Sequence, residues 1–186
     1  MAIGNDLRKG KAVRYQGEVY SVLDVQHRTP GNLRAFVQAT LRNLRSGSST
    51  LVRFSATEQV EIISLQRRKL EYSYRDASGY VFIDPQTFDQ LTLSAAFAAA
   101  SSPFLAEGTA YDVIFSDDEQ PLLLELPSSV SLKVVEAPEW LKGDSATNVR
   151  KPVKLETGLE VLVPLFITQG EVIKVDTRTK DYIGRA

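Results

Sequence analysis

The chain has 186 residues, 43% of them hydrophobic and 24% charged, with a net charge of −1, an ordinary balance for a soluble globular protein. It contains no cysteine and a single histidine, His27, which excludes disulfides, thiol nucleophiles, thiolate metal sites and a multi-histidine metal centre. No apolar run approaches the roughly 18 residues needed to cross a bilayer, and the opening MAIGNDLRKGKAV lacks the apolar core of a secretion signal, so a cytoplasmic protein without membrane partners is expected.

The near-zero net charge conceals an asymmetry. Residues 1–68 hold eleven Lys/Arg and five acids, for +6. Residues 69–127 hold two and ten, for −8, and residues 128–186 hold nine and eight, for +1. A basic end beside an acidic middle suggests that a polyanion, nucleic acid, meets the first part of the chain and not the second.

Residues 1–65 read as one module. A turn with a basic rim spans residues 6–10, and strands are expected over 11–15 and 18–25 around Gln16-Gly17. A hairpin follows over residues 25–44. Val22, Leu23 and Val25 precede a Pro30-Gly31-Asn32 turn, and residues 35–41 then alternate, with Phe36, Gln38 and Thr40 on one face and Val37, Ala39 and Leu41 on the other. His27, a solvated polar residue in this reading, lies on the hairpin with Arg28, Arg34, Arg42 and Arg45, and no acid occurs between Asp24 and Glu58. Strands over 49–54 and 57–63 close a small all-β barrel.

Residues 66–127 form a second module, with strands expected over 70–74, 80–83, 88–93, 109–115 and 121–126. The Ala-rich segment 94–101 is expected as a short helix, capped by Ser94, anchored in the core by Phe97 and ended by Pro103. Residues 116–119 read as a solvated acidic turn. Three adjacent acids do not converge on a cation that needs six to eight oxygens, so no metal is expected. The third module, residues 128–186, has strands over 130–136, 151–156, 160–163 and 171–177 and a loop over 137–146 that holds Trp140, Gly143 and Asp144. Its last residues mix cations with an aromatic, Arg178, Tyr182 and Arg185. The second and third modules follow the pattern of five-stranded oligonucleotide-binding barrels.

The chain has no GxGxxG, GxxxxGK[ST] or HExxH segment and no usual base–nucleophile pair. Neither an enzyme nor a cofactor is indicated.

Three stretches carry a family resemblance. TPGNLRAFVQATLRNLRSG resembles the tip hairpin of bacterial translation elongation factor P. RRKLEYSYRDASGYVFIDPQTFDQLTL resembles the opening of that family's second domain. GLEVLVPLFITQGEVIKVDTRTKDYIGR resembles its C-terminal signature, and Gly143-Asp-Ser-Ala-Thr147 with Lys151-Pro152 is similar to the family's third-domain loop. The resemblance covers essentially the whole chain. It implies an all-β protein of three small barrels, an SH3-like (KOW-like) barrel followed by two oligonucleotide-binding barrels, in an L-shaped, tRNA-like arrangement. It implies a monomer that binds the 70S ribosome between the peptidyl and exit tRNA sites, contacts peptidyl-tRNA and ribosomal RNA, and promotes peptide-bond formation on stalled, proline-rich chains.

By the same resemblance the tip loop of Pro30, Gly31, Asn32, Leu33 and Arg34 meets the acceptor end of the tRNA. Arg28, Arg42, Arg45, Gly143, Asp144, Arg178, Tyr182 and Arg185 are the further candidate RNA contacts. The family's tip runs proline–glycine–cation–glycine, and in many members another enzyme extends the cation. Here Asn32 takes that position and Leu33 follows it, so extension of a lysine amine is not possible there. Three readings stand, in this order: an unmodified factor acting through Asn32 and Arg34; a factor modified on Arg34 by a dedicated enzyme; and a divergent paralogue with an altered role. Arg34 is expected to matter more than Arg53, which enters only as bulk charge. The alternative from another class is a general single-stranded RNA-binding protein of oligonucleotide-binding barrels, disfavoured by an acidic second barrel and by aromatics that fall mostly at core-type strand positions.

Overall fold

A computed structural model describes residues 2–29, 31, 35–139 and 150–186 of the chain. Among these residues the architecture is all-β, in three separate sheets. The first contains β1 (Ala2–Ile3), β2 (Ala12–Tyr15), β3 (Glu18–Arg28), β4 (Phe36–Asn43), β5 (Ser49–Ser55) and β6 (Gln59–Ile63), in the order β1-β6-β2-β3-β4-β5. Its inner face gathers Leu7, Val13, Val22, Val37, Ala39, Leu41, Phe54 and Val60 into one core cluster. β1 and the 3-10 turn Gly4–Asp6 were not anticipated, because two or three residues are too few to show a period. They add an edge strand beside β6 and tie the chain start to the turn between β5 and β6. The Gly4 amide donates to the Glu58 carbonyl at 2.8 Å and the Asn5 amide to that of Ala56 at 3.1 Å. A Cβ on Gly4 would overlap the Ser55 carbonyl oxygen, so glycine permits the turn to close on the end of β5.

The second sheet contains β7 (Gln66–Arg75), β8 (Tyr80–Ile83), β9 (Gln90–Leu93), β10 (Ala110–Phe115) and β11 (Pro121–Glu125), in the order β11-β10-β7-β8-β9. The expected helix over 94–101 is a single turn, α1 (Ala95–Ala98), capped as anticipated by the Ser94 hydroxyl, which accepts from the Phe97 amide at 3.2 Å. A 3-10 turn, Ser102–Phe104, follows, with Pro103 inside it. The anchor also differs from expectation. Phe97 is only half-buried, whereas Ala98 and Phe104 are buried. Pro103 stands in the first positions of this turn, where its missing N–H costs no hydrogen bond, and Phe104 is the aromatic that lies inward. Tyr111 then fixes that segment. Its fully buried hydroxyl donates to the Phe104 carbonyl and accepts from the Ala106 amide, each at 2.8 Å. Burial pushes its ionisation above the ordinary phenol value.

The third sheet contains β12 (Ser129–Glu136), β13 (Arg150–Leu155), β14 (Glu160–Pro164), β15 (Val172–Asp176) and β16 (Tyr182–Arg185), in the order β14-β13-β12-β15-β16. Leu132, Val134, Leu155, Val163, Ile173 and Val175 alternate into its core. β16, read in the sequence only as a mixture of cations and an aromatic, pairs with β15, where a register shift between Lys174 and Val175 breaks the alternation.

By compactness the chain groups into two units, Met1–Arg68 with Val113–Leu123, and Lys69–Asp112 with Leu124–Ala186. In the first, the acidic turn carries partners. Arg14 lies 3.1 Å from Glu61 and 3.7 Å from Asp118, and Arg68 lies 2.9 Å from Glu119. Asp118 and Glu119 remain mostly exposed, so these pairs are weak contributors to stability. In the second unit the Thr157 hydroxyl donates to the Pro103 carbonyl at 2.7 Å. No helix among the described residues is long and apolar enough to cross a membrane.

Candidate nucleic-acid interface

The hairpin of β3 and β4 carries Arg28 and Arg42, with no acid after Asp24, and a bulge decides which side chains it presents. The strands pair from Tyr20↔Asn43 to Arg28↔Phe36, with a register shift between Val22 and Asp24 that leaves Leu23 as the extra residue. Before the bulge Val22 faces the core. After it, Val25 pairs with Ala39 and His27 with Val37, both buried. One inserted residue reverses the alternation. It sends Gln26 and Arg28 outward, where an unbroken period of two would turn them to the side of Val22.

On the inner side, His27 reaches the carbonyl oxygen of Asn5 at 3.2 Å through Nε2. A carbonyl only accepts, so this nitrogen carries the proton. His27 is exposed, as expected, but it also ties the hairpin to the 3-10 turn.

On the outer side, β4 presents Phe36, Gln38 and Thr40, and β5 pairs Arg53 with Gln38. The Arg53 guanidinium carbon lies 3.6 Å from the centroid of the Phe36 ring, in stacking contact. Opposite Phe36, the Arg28 guanidinium donates to the Gln26 side-chain oxygen at 3.0 Å, and Gln26 in turn donates to Asp24 at 3.5 Å. Among the described residues no carboxylate pairs with Arg28 or Arg53.

The expected contacts do not form one cluster. Arg42 is exposed on β4, six residues from Phe36 and therefore about 20 Å further along the strand. Arg45 lies beyond it, in the turn set by Asn43, whose side-chain oxygen accepts from the Arg45 and Ser46 amides at 2.8 Å each. Gly31 has a φ of 28°, a left-handed value suited to glycine. Pro30, Asn32, Leu33 and Arg34 at the tip lie outside the described residues, as do Trp140, Gly143 and Asp144 of the third-module loop.

In the third sheet, Arg178 is exposed on the β15–β16 turn, where the Asp176 carboxylate accepts its amide at 2.7 Å and that of Thr179 at 3.0 Å. Tyr182 is half-buried opposite Val175. Arg185 has internal partners: its guanidinium lies 3.1 Å from Glu171 and 4.9 Å from the centre of the Phe166 ring. The hydrogen bond from the Thr168 hydroxyl, helped by the Thr168 amide and Arg185, holds the Glu171 carboxyl below the usual range. Arg178 is thus the open cation of the two.

Sequence reasoning missed Phe36 and Arg53 as a pair. The available signal was that Phe36 shares its face with Gln38 and Thr40, an aromatic in polar company. Nor are the aromatics uniformly internal: Tyr74, Phe88 and Phe166 are exposed. No group of three or more His, Cys, Asp or Glu residues able to hold a metal occurs among the described residues.

Three family models cover the chain: the elongation factor P KOW-like domain matches residues 4–60, the elongation factor P OB domain residues 65–123, and the elongation factor P C-terminal model residues 130–185. The chain is 42% identical to elongation factor P of Chloroflexus aggregans, over all of both chains. It is 40% identical to those of Roseiflexus sp. (strain RS-1) and Chloroherpeton thalassium, over all of this chain and 99% of each relative. Among solved structures, a eukaryotic translation initiation factor 5A from Methanococcus jannaschii is similar at a TM-score of 0.48 and 15% identity, over 67% of this chain and 92% of that one, too weak a likeness to add to the assignment.

Proposed function

The chain belongs to the elongation factor P family, translation elongation factors and not enzymes, and on that premise we propose that it binds the 70S ribosome between the peptidyl and exit tRNA sites and speeds peptide-bond formation on stalled, proline-rich chains. It works in the cytoplasm as a monomer, in three domains over residues 1–65, 66–127 and 128–186. The three separate sheets and the spans of the three family models support this division.

The observation that carries the reading is the outward face of the β3–β4 hairpin, where the bulge at Leu23 turns the Arg28 guanidinium outward in a stretch free of acids from residue 25 to residue 57. Such a face meets phosphates, and the acidic middle of the chain does not. The hairpin and the tip beyond it hold the acceptor end of peptidyl-tRNA. The reaction gains from orientation alone, because fixing a reactant removes rotational and translational freedom before the bond forms. The ribosome's own centre completes the chemistry. Asn32 contributes an amide and Arg34 a cation, both unmodified.

Ribosome profiling of a strain lacking the protein tests the role. Pauses at consecutive prolines are expected, and unchanged proline occupancy with altered RNA levels would favour a general RNA-binding protein instead. Intact mass of the native protein tests the tip: a mass equal to the sequence is expected, and an added mass on Arg34 would replace the unmodified reading.

A further inference from the structure

The outer face near the tip end of the hairpin has features that bulk charge does not explain. The Arg53 guanidinium is stacked on Phe36, which fixes its plane. The ring covers one face of that plane, and Arg53 as a residue is exposed to solvent. Arg28 stands directly across from Phe36 in the register, restrained by Gln26. Side chains opposite one another on adjacent strands have Cβ atoms about 5 Å apart, so a second cation flanks the stack. Gln38, which pairs with both Gln26 and Arg53, adds a neutral amide at its edge. Asp24 is the nearest acid on β3, four residues and about 13 Å from Arg28.

We propose that this face is a binding site for one unpaired RNA nucleotide, the base stacking on the side of the Arg53 guanidinium away from Phe36 and its phosphate pairing with Arg28. The site lies on the body of the hairpin and not at the tip. It deepens the reading of the hairpin as an RNA-facing element and rests on that reading. The chemistry favours a base over a phosphate alone. A planar guanidinium backed by an aromatic ring presents a π-like face, and unstacked bases settle on such faces. An isolated phosphate would need only charge, which any lysine supplies. Arg53 therefore acts as a binding residue in its own right, where the sequence offered it only as bulk charge.

Fluorescence anisotropy of the full chain with a labelled single-stranded RNA hexamer tests the site, alongside the same hexamer made abasic, with its phosphates intact. Arg53→Lys keeps the charge and removes the plane, on an exposed position that leaves the core untouched. We expect Arg53→Lys to weaken hexamer binding at least about fivefold, the lower range for loss of one stacked base. The wild type should bind the abasic strand as weakly as the variant binds the intact one. Wild-type affinity in Arg53→Lys, equal binding of the two strands, or no binding of the hexamer by the wild type would each overturn the proposal. Sedimentation with 70S ribosomes separates the two readings. If the wild type fails to co-sediment, the ribosomal role fails whatever the hexamer shows. If it co-sediments while Arg53→Lys binds the hexamer normally, only the nucleotide site fails.

Discussion

Arg53 is one of eleven basic residues in positions 1–68, and a count of charges treats all eleven alike. Pairing separates it from the rest. Gln38↔Arg53 places it diagonal to Phe36, and that pairing depends on Asn43, which gathers the Arg45 and Ser46 amides into the turn between β4 and β5. A single side chain three residues from the turn's end thus decides which aromatic the guanidinium meets. Tyr111 shows the same dependence in the second unit. Its position in an alternating strand is readable, but the carbonyl and amide that satisfy its hydroxyl come from a segment shaped by Pro103. Tyr111→Phe leaves the Ala106 amide and the Phe104 carbonyl without that partner, and should cost about 1–3 kcal/mol. Urea unfolding measures it, and an unchanged midpoint would mean that the hydroxyl does not hold residues 104–106.

The bulge in β3 is the element on which the candidate site depends. Adjacent apolar residues Val22 and Leu23 hint that the alternation is interrupted, but the same pair would fit a strand that simply ends there. Only the pairing with β4 shows a continuous strand to Arg28 with one residue left over. Deleting Leu23 removes the extra residue and lets Asp24 follow Val22 directly in the ladder, so Val25 and His27 should stay inward and Arg28 outward. Hexamer binding should therefore persist in the deletion, because Arg28 stays opposite Phe36. Leu23→Ser keeps the residue count and should change little, since Leu23 is 37% exposed. Loss of hexamer binding on deletion of Leu23 would sink the register account. The short helix α1 teaches a related lesson: eight residues with helical propensity yielded one turn, because proline and the burial of Phe104 outweighed alanine's preference.

At the scale of the molecule, the carboxylates with clearly depressed pKa values among the described residues, Asp76, Glu171 and Asp176, all belong to the second unit. The Ser78 hydroxyl is the main cause for Asp76, the Thr168 hydroxyl for Glu171 and the Thr179 amide for Asp176. A folded-state value below the unfolded one means that the unfolded chain takes up protons first. The stabilisation is therefore complete above the ordinary carboxylate range, about pH 4, and is lost as pH falls through the lowered folded values. Asp176→Asn should be less stable than the wild type at neutral pH, and the difference should close below about pH 4. Urea unfolding across that range checks it, and parallel curves for the two proteins would show that the charge of Asp176 contributes nothing.

The amino-acid sequence by itself determined the all-β class, the positions of most strands, the charge division between the modules and the family resemblance, because strand periodicity, turn residues and net charge are local or additive properties of the chain. The tertiary structure alone decided which side chains share a face near the hairpin tip. Register is a relation between strands: one bulge at Leu23 and one turn built on Asn43 place Arg28, Phe36 and Arg53 together, while Arg42 and Arg45, equally basic in the sequence, fall at the other end of the same hairpin.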